Sequence, residues 1–142
     1  TSAGDGNDAE RENSGTKRIL IVDDNEINLE IENEVLKDAG FLVETAFDGS
    51  EAVELVKKSK PGYYDLILMD IQMPVMDGYN ATRAIRSIEN PALSGIPIIA
   101  VSANAFEEDR RKAMESGMDE HLAKPLDNTR LFQLLNNFLR IK

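Results

Sequence analysis

The sequence lacks several residues on which common functional sites depend. Among its 142 residues it has no cysteine and a single histidine, His121. Disulfides and cysteine-ligated metals are therefore excluded, and one histidine argues against a His-rich metal site or a Ser-His-Asp triad. No apolar run approaches the roughly 18 residues of a membrane span, and no signal-peptide pattern stands at the N-terminus. We expect a soluble, cytoplasmic domain, which leaves open a membrane anchor elsewhere in a longer parent protein.

Positive charge is also scarce. The chain has 16 Lys and Arg against 26 Asp and Glu, a formal net charge of −10. Nucleic acid is disfavoured as a direct partner, because phosphate contacts need clustered basic side chains. The excess of acids is compatible with a cation-binding site, and it is equally compatible with a general role in solubility.

Composition divides the chain into two parts. Residues 1–16 (TSAGDGNDAERENSGT) are rich in Gly, Ser, Asn and acids, with almost nothing to bury, which predicts a disordered linker. Residues 17–142 predict one compact domain. A linker followed by a compact body suggests a piece from the C-terminal end of a larger protein, and a cloning remnant at the first residues is the alternative.

Short apolar segments alternate with helical patterns along the compact part. The predicted strands lie at residues 17–22, 41–46, 64–69, 96–101 and 120–123. The first, third and fourth are continuously apolar, so both of their faces should be covered. Five β-α units with right-handed crossovers predict an α/β, doubly wound (βα)5 parallel sheet of the flavodoxin-like type, with strand order 2-1-3-4-5.

The intervening helices have recognisable faces and starts. Apolar residues recur every four positions in the first helix, which predicts a buried face made of Ile27, Ile31, Val35 and Ala39. Asp48 and Glu51 have the spacing of a capping box for the second helix. Asp77 is suited to cap the third helix, Asn104 the fourth, and Asp127 opens the last.

Polar side chains stand at the ends of four of the strands. Asp23 and Asp24 end the first, Asp70 the third, Ser102 the fourth and Lys124 the fifth. Parallel strands bring their carboxyl ends to one edge, near the switch point where ligands bind. Two carboxylates about 4 Å apart repel by roughly 4 kcal/mol at an effective dielectric near 20. Three therefore need protonation or a cation, and oxygen ligands suit Mg²⁺.

The neighbours of these acids indicate the chemistry. A cation, a lysine and a hydroxyl around one carboxylate can neutralise the charge that spreads over a phosphoryl group during its transfer. A carboxylate can itself be the acceptor, giving an aspartyl phosphate. The alternative for Asp23 or Asp24 is that one of them only caps the first helix, and that explanation does not extend to Asp70.

Four stretches together resemble one known family: ILIVDDNEIN, LILMDIQMPVMDG, IPIIAVSANA and GMDEHLAKPL. They are similar to the receiver domain of two-component response regulators, and most of all to receivers attached to hybrid histidine kinases. The resemblance covers residues 17–142. It implies a phosphoacceptor module that takes a phosphoryl group from a phosphohistidine, with Mg²⁺, and then changes conformation or relays the group to a histidine-containing phosphotransfer domain.

The resemblance implies a role for each matching residue. Asp70 would be phosphorylated. Asp24 would bind Mg²⁺ directly, with Asp23 acting through water and Gln72 offering its backbone carbonyl. Ser102 would contact the phosphoryl oxygens and Lys124 would pair with them.

Two positions depart from the commonest pattern of the family. Ser102 stands where threonine is frequent, so the hydroxyl is kept and a methyl is lost. His121 stands where many receivers carry tyrosine or phenylalanine as an aromatic switch residue. It is either a switch, whose titration near neutral pH would add pH sensitivity, or a half-exposed strand residue.

Other functions remain as alternatives. A Mg²⁺-dependent phosphatase with an aspartyl nucleophile usually has a second Asp two positions later, and here that position is Gln72. An interaction module that has lost phosphorylation is a third reading. No GxGxxG or GxxxxGK loop follows the first strand, which argues against a nucleotide or flavin enzyme. The domain alone would be an enzyme at most through self-dephosphorylation, with any kinase activity in the parent protein.

Overall fold

The computed structural model describes residues 16–73, 75–103, 107–124 and 126–139. The predicted linker falls outside these ranges except for Thr16, and so does the predicted cap Asn104. Both stay predictions. No helix in the described ranges has the length and apolarity needed to cross a membrane.

Five parallel strands form one sheet in the order β2-β1-β3-β4-β5, as predicted. Their bounds are β1 (Arg18–Val22), β2 (Leu42–Ala46), β3 (Leu66–Asp70), β4 (Ile98–Ser102) and β5 (Glu120–Ala123). The observed β3 and β4 each begin two residues later than the apolar run predicts and end one residue later. Their last residues are therefore the polar Asp70 and Ser102, which carries both side chains to the edge of the sheet.

Within the described ranges, six helices connect and flank the strands. They are α1 (Glu26–Asp38), α2 (Gly49–Lys58), α3 (Gly78–Arg86), α4 (Pro91–Ser94), α5 (Glu107–Ser116) and α6 (Asn128–Leu139). The single turn α4 was not predicted. It starts with Pro91 after the cap Asn90, whose side chain accepts a hydrogen bond from the Ala92 N–H, and proline is well tolerated at a first helical position.

The core lies on both faces of the sheet, as the apolar strands predict. All residues of β1, β3 and β4 are buried. On one face, side chains such as Leu20 and Ile67 pack with Val56 of α2 and Ile85 of α3. On the other face lies a second cluster, formed with α1 and α6. Helices on both faces cover the central strands, and the polar residues that end these strands lie at one edge of the sheet.

The predicted buried face of α1 is wrong. Ile27 and Ile31 are 66% and 56% exposed, and Ala39 is also exposed. The residues that α1 buries are Leu29, Glu32 and Leu36. An α-helix turns once in 3.6 residues, so a four-residue repeat drifts by about 40° at each step. The seven-residue spacing from Leu29 to Leu36 stays within about 20° of two full turns, and this pair faces the sheet.

The caps that begin α2 and α3 match the sequence. The Glu51 N–H donates to Asp48 Oδ1 at 2.8 Å, while Glu51 Oε1 accepts from the Phe47 N–H at 3.0 Å. Asp77 Oδ1 accepts from the Asn80 N–H at 2.8 Å. At α1 neither Asp23 nor Asp24 is the cap, because Asn25 occupies that position and accepts from the N–H groups of residues 27 and 28. Both acids are thus available for another purpose.

We predict that the corrected face of α1 carries its stability. Leu36→Ala should lower the free energy of unfolding by about 2–5 kcal/mol, as expected for a fully buried leucine. Ile31→Ala should cost less than about 1 kcal/mol, because its side chain is mostly exposed. Urea denaturation of both variants measures the difference, and equal losses would contradict the assignment.

Candidate functional site

The register of the sheet brings the polar strand ends together. Val22 of β1 pairs with Met69 of β3, so the residues that follow, Asp23 and Asp70, lie side by side. Asp70 is in turn beside Val101 of β4. At the next junction Ser102 pairs with Ala123, and the Lys124 N–H donates to the Ser102 carbonyl at 2.7 Å. Residues separated by about a hundred positions thus share one edge.

Three carboxylates converge at this edge. Oxygens of Asp23, Asp24 and Asp70 all lie within 4.8 Å of one another. Asp23 and Asp70 are 2% and 4% exposed, whereas Asp24 is open to solvent. The cluster therefore combines two buried charges with one accessible carboxylate.

Lys124 is the counter-charge of the buried pair. Its Nζ lies 3.1 Å from Asp23 Oδ2 and 3.4 Å from Asp70 Oδ2. Burial disfavours the ammonium, but Asp70 and Asp23 outweigh burial and raise the pKa of Lys124. The lysine therefore stays charged and bridges the ends of β1 and β3.

Asp23 has further partners in the loop and helix that follow it. Its Oδ1 accepts from the Asn25 N–H at 2.8 Å, and its Oδ2 accepts from Asn28 Nδ2 at 3.4 Å. Both of its oxygens are thus engaged by protein donors. Asp24, exposed and adjacent, is the freer carboxylate of the two.

Asp70 is less well compensated than Asp23. Burial raises the pKa of Asp70 to about 6, and the charge of Asp23 adds to this rise. Lys124 and the Gln72 N–H, which donates to Asp70 Oδ1 at 3.3 Å, act in the opposite direction. A buried carboxylate whose negative charge is only partly offset by its neighbours is suited to hold a cation and to act as a nucleophile.

The loop after β3 folds back tightly over the same edge. The Gly78 N–H donates to the Ile71 carbonyl at 2.8 Å. A Cβ at Gly78 would lie 2.5 Å from the Asp70 carbonyl oxygen, so only glycine fits there. Val75, in the same loop, is 85% exposed and has a φ of 67°, which is strained for a β-branched residue. The hydrogen bond from Gly78 to Ile71 and the close approach of Gly78 to the Asp70 backbone keep the loop close to Asp70.

Ser102 and His121 contact each other at the far side of the edge. Ser102 is 3% exposed, and its Oγ lies 2.9 Å from His121 Nε2. Burial lowers the pKa of His121, and nearby Arg110 acts in the same direction while Asp109 and Glu120 oppose it. The histidine is therefore coupled to the hydroxyl predicted to meet the phosphoryl group.

Sequence reasoning missed two side chains of α1. Asn28 bonds to Asp23, and Glu32, one turn further, is buried beneath the same edge. The signal available was the pair Leu29 and Leu36, whose spacing places Glu32 on the inner face. The repeat through Ile27 and Ile31 concealed it.

The arrangement fits a hard divalent cation. Three carboxylates at one point supply only oxygen ligands, which Mg²⁺ prefers, and one of them is accessible to a hydrated ion. The edge also carries the fixed ammonium of Lys124 and the hydroxyl of Ser102. Together these groups can bind a phosphoryl group as well as a cation.

The sequence profile of the response regulator receiver domain matches residues 19–136. The chain belongs to this family. Curated relatives include hybrid signal transduction histidine kinase B of Dictyostelium discoideum, 42% identical over 133 residues and matching 87% of this chain. Sensor protein GacS of Pseudomonas syringae is 41% identical over 123 residues, which is 86% of this chain. The receiver domain spans only 7% and 13% of these two relatives.

Solved receiver structures share the fold. The receiver domain of sensor histidine kinase PA1611 from Pseudomonas aeruginosa, which has a magnesium ion coordinated in its active-site cleft, superposes with a TM-score of 0.79 at 38% identity, covering 89% of this chain and 99% of that one. The receiver domain of Ssk1 in its Saccharomyces cerevisiae complex with the phosphotransfer protein Ypd1 gives a TM-score of 0.78 at 31% identity, covering 87% and 88%.

We predict that the charge of Asp70 destabilises this receiver domain when no metal is present. The folded state holds the Asp70 proton up to about pH 6, whereas the unfolded carboxyl releases it near 3.8. Stability is therefore lost as pH rises through this window. In EDTA at pH 7.5, Asp70→Asn should raise the free energy of unfolding by about 1–3 kcal/mol, and the gain should vanish near pH 4.

Urea denaturation at the two pH values measures this effect. Glu30→Gln, on the exposed side of α1, removes a carboxylate without relieving the cluster and should change stability little. An Asp70→Asn variant no more stable than wild type at pH 7.5 would show that Lys124 already offsets the charge fully.

Proposed function

We propose that this receiver domain accepts a phosphoryl group from a phosphohistidine onto Asp70, with Mg²⁺ bound, as one step of a phosphorelay. The observation that carries the proposal is the convergence of Asp23, Asp24 and Asp70 within 4.8 Å beside Lys124. An interaction module without phosphorylation would have no use for so unfavourable a charge cluster.

The accessible carboxylate of Asp24 and one oxygen of Asp70 are the ligands best placed for Mg²⁺. Asp23, whose oxygens already accept from Asn25, Asn28 and Lys124, would act through water. The backbone carbonyl of Gln72 is proposed as a further ligand. When bound, Mg²⁺ neutralises charge on the phosphoryl oxygens during transfer.

The remaining steps belong to the chain's own side chains. A carboxylate oxygen of Asp70 attacks phosphorus, the P–O bond forms, and the P–N bond breaks with its electron pair returning to the donor imidazole. Lys124 is held at the edge by Asp23 and can follow the phosphoryl oxygens. Its ammonium then gives up the ion pair with Asp70 and contacts the phosphoryl oxygens instead.

Ser102 and His121 are proposed to convert this chemistry into a conformational change. The Ser102 hydroxyl would donate to a phosphoryl oxygen, and its contact with His121 would be altered as a result. Ser102 ends β4 and His121 lies in β5, so the new bonds would bias β5 and the neighbouring α5 and α6. This is a population shift driven by charge-assisted hydrogen bonds.

The partners proposed for this chain are a histidine kinase transmitter and a histidine-containing phosphotransfer protein. Curated relatives are hybrid histidine kinases, and the similar Ssk1 receiver is found in complex with such a phosphotransfer protein. The parent protein is accordingly proposed to be a hybrid histidine kinase. The phosphatase alternative has less support, because Gln72 is exposed and its side chain is not an acid.

The decisive experiment is phosphorylation in vitro. With Mg²⁺ and acetyl phosphate, or with a phosphorylated histidine phosphotransfer protein, we expect a mass gain of one phosphoryl group per chain. The gain should vanish in Asp70→Ala because the nucleophile is gone. It should fall at least tenfold in rate in Asp24→Ala and in Lys124→Ala, because each loses charge neutralisation worth a few kcal/mol.

Glu30→Gln serves as the matched control, since it removes an exposed carboxylate of α1 and should leave the rate unchanged. Modification that persists in Asp70→Ala would place the acceptor elsewhere. Multiple-turnover hydrolysis of a phosphomonoester would favour the phosphatase function instead.

The role of His121 predicts a specific pH dependence. Protonation of the imidazole obliges Nε2 to donate toward Ser102 Oγ, whereas the neutral ring allows it to accept. The dissociation constant of beryllofluoride at saturating Mg²⁺ should therefore change more between pH 5.5 and 7.5 in wild type than in His121→Phe. Fluorine NMR titration measures both, and equal pH dependence would assign His121 a structural role only.

A further inference from the structure

Glu32 is a buried carboxyl to which the proposed phosphorylation chemistry assigns no task. It lies on the inner face of α1 between Leu29 and Leu36, and it is 9% exposed. With Lys124 and Asn28 it lines a cleft of about 410 Å³ between α1 and the start of α6. The other cleft residues are mostly apolar, so Glu32 is an isolated acid at this wall.

The charge of Glu32 has no direct partner in the described part of the chain. Its carboxyl makes no hydrogen bond or ion pair with residues of the described ranges. Lys124, the basic residue of the same cleft, has its ammonium against Asp23 and Asp70 at 3.1 and 3.4 Å. Neither carboxyl oxygen of Glu32 is among the fully buried, unpartnered polar atoms of the described residues, so the carboxyl head reaches solvent in the cleft. It acts on its surroundings mainly through its electric field.

That field reaches the phosphoacceptor site. Burial raises the pKa of Glu32 to about 7, Asp23 and Asp70 add to the rise, and Lys124 opposes it. The geometry points the same way: Glu32 lines the same cleft as Asn28 and Lys124, and these two side chains touch Asp23 Oδ2 at 3.4 and 3.1 Å. At pH 8 the carboxyl is mostly ionised, and it contributes a fourth negative charge near the edge without belonging to the cluster of three.

We propose that the negative charge of Glu32, which lies beneath the edge, favours binding of the cation and disfavours retention of the anionic phosphoryl group on Asp70. The inference rests on the proposed function of Asp70. A receiver tuned in this way would load Mg²⁺ readily and release its phosphoryl group to the next acceptor, as a relay intermediate requires.

The opposite signs follow from Coulomb's law. A carboxylate attracts Mg²⁺ and repels the phosphoryl oxygens, so removing its charge must weaken one complex and strengthen the other. A purely structural role would give a different result, because damage to α1 would weaken both complexes. The pair of measurements therefore separates an electrostatic role from a packing role.

The test is Glu32→Gln, which keeps the shape of the side chain and removes its charge. At pH 8 and low salt we expect the affinity for Mg²⁺ alone to fall by roughly three- to tenfold. At saturating Mg²⁺ we expect the affinity for beryllofluoride, a phosphoryl mimic, to rise by a similar factor. Isothermal titration calorimetry measures the first constant and fluorine NMR the second.

Two variants control the experiment. Glu30→Gln removes an exposed carboxylate from the same helix and should shift neither constant appreciably. Glu32→Asp keeps the charge and should shift each constant by less than Glu32→Gln does, even if the shorter side chain lowers the melting temperature. Circular dichroism confirms that each variant is folded before titration.

The outcomes separate this inference from the proposed function. Beryllofluoride binding that persists in Asp70→Ala, or is absent in wild type, overturns the proposed function and this inference with it. Binding that depends on Asp70, together with shifts of the same sign or no shift in Glu32→Gln, overturns the role of Glu32 alone.

Discussion

Three carboxylates meet at one end of the sheet, and the positive charge that offsets them is the constraint on which the site depends. Asp23 and Asp70 are nearly fully buried, and Lys124 touches both. Asp24 completes the cluster from the solvent side. The chain tolerates this repulsion because the ammonium is fixed between the two buried acids, and the remaining imbalance contributes to the raised pKa of Asp70.

The fold serves this constraint in two ways. Burial of the apolar parallel strands offsets the destabilisation caused by the charged edge. The register of these strands places Asp23 beside Asp70. Lys124 lies 101 positions after Asp23 in the sequence. Its ammonium reaches the two acids because β5, which precedes it, pairs with β4 in the sheet. The site therefore exists only in the folded chain, where sheet register and packing bring these residues together.

Helix α1 shows how one element can face two environments. Its inner side buries Leu29, Glu32 and Leu36, and Asn28 donates to Asp23 at the charged edge. Its outer side leaves Ile27 and Ile31 exposed. The helix thus links the core, the carboxylate cluster and the surface.

Much of this protein could be predicted from its sequence. Apolar runs, caps and glycines indicated five β-α units, the strand order followed from handedness and strand number, and the polar residues at the strand ends indicated the edge that would carry the site. These are local signals: a run of LILM followed by Asp70 predicts a buried strand with a polar end from its own residues alone.

The buried face of α1 could not be predicted from local sequence. Two apolar stripes compete along that helix, and only packing against the sheet selects the one through Leu29 and Leu36. The burial of Glu32, the hold of Lys124 on two acids and the contact between Ser102 and His121 likewise depend on distances between separate strands and helices. Tertiary structure decided them because burial and electrostatic energies depend on what lies around a side chain, and the sequence by itself determined only which side chains were available.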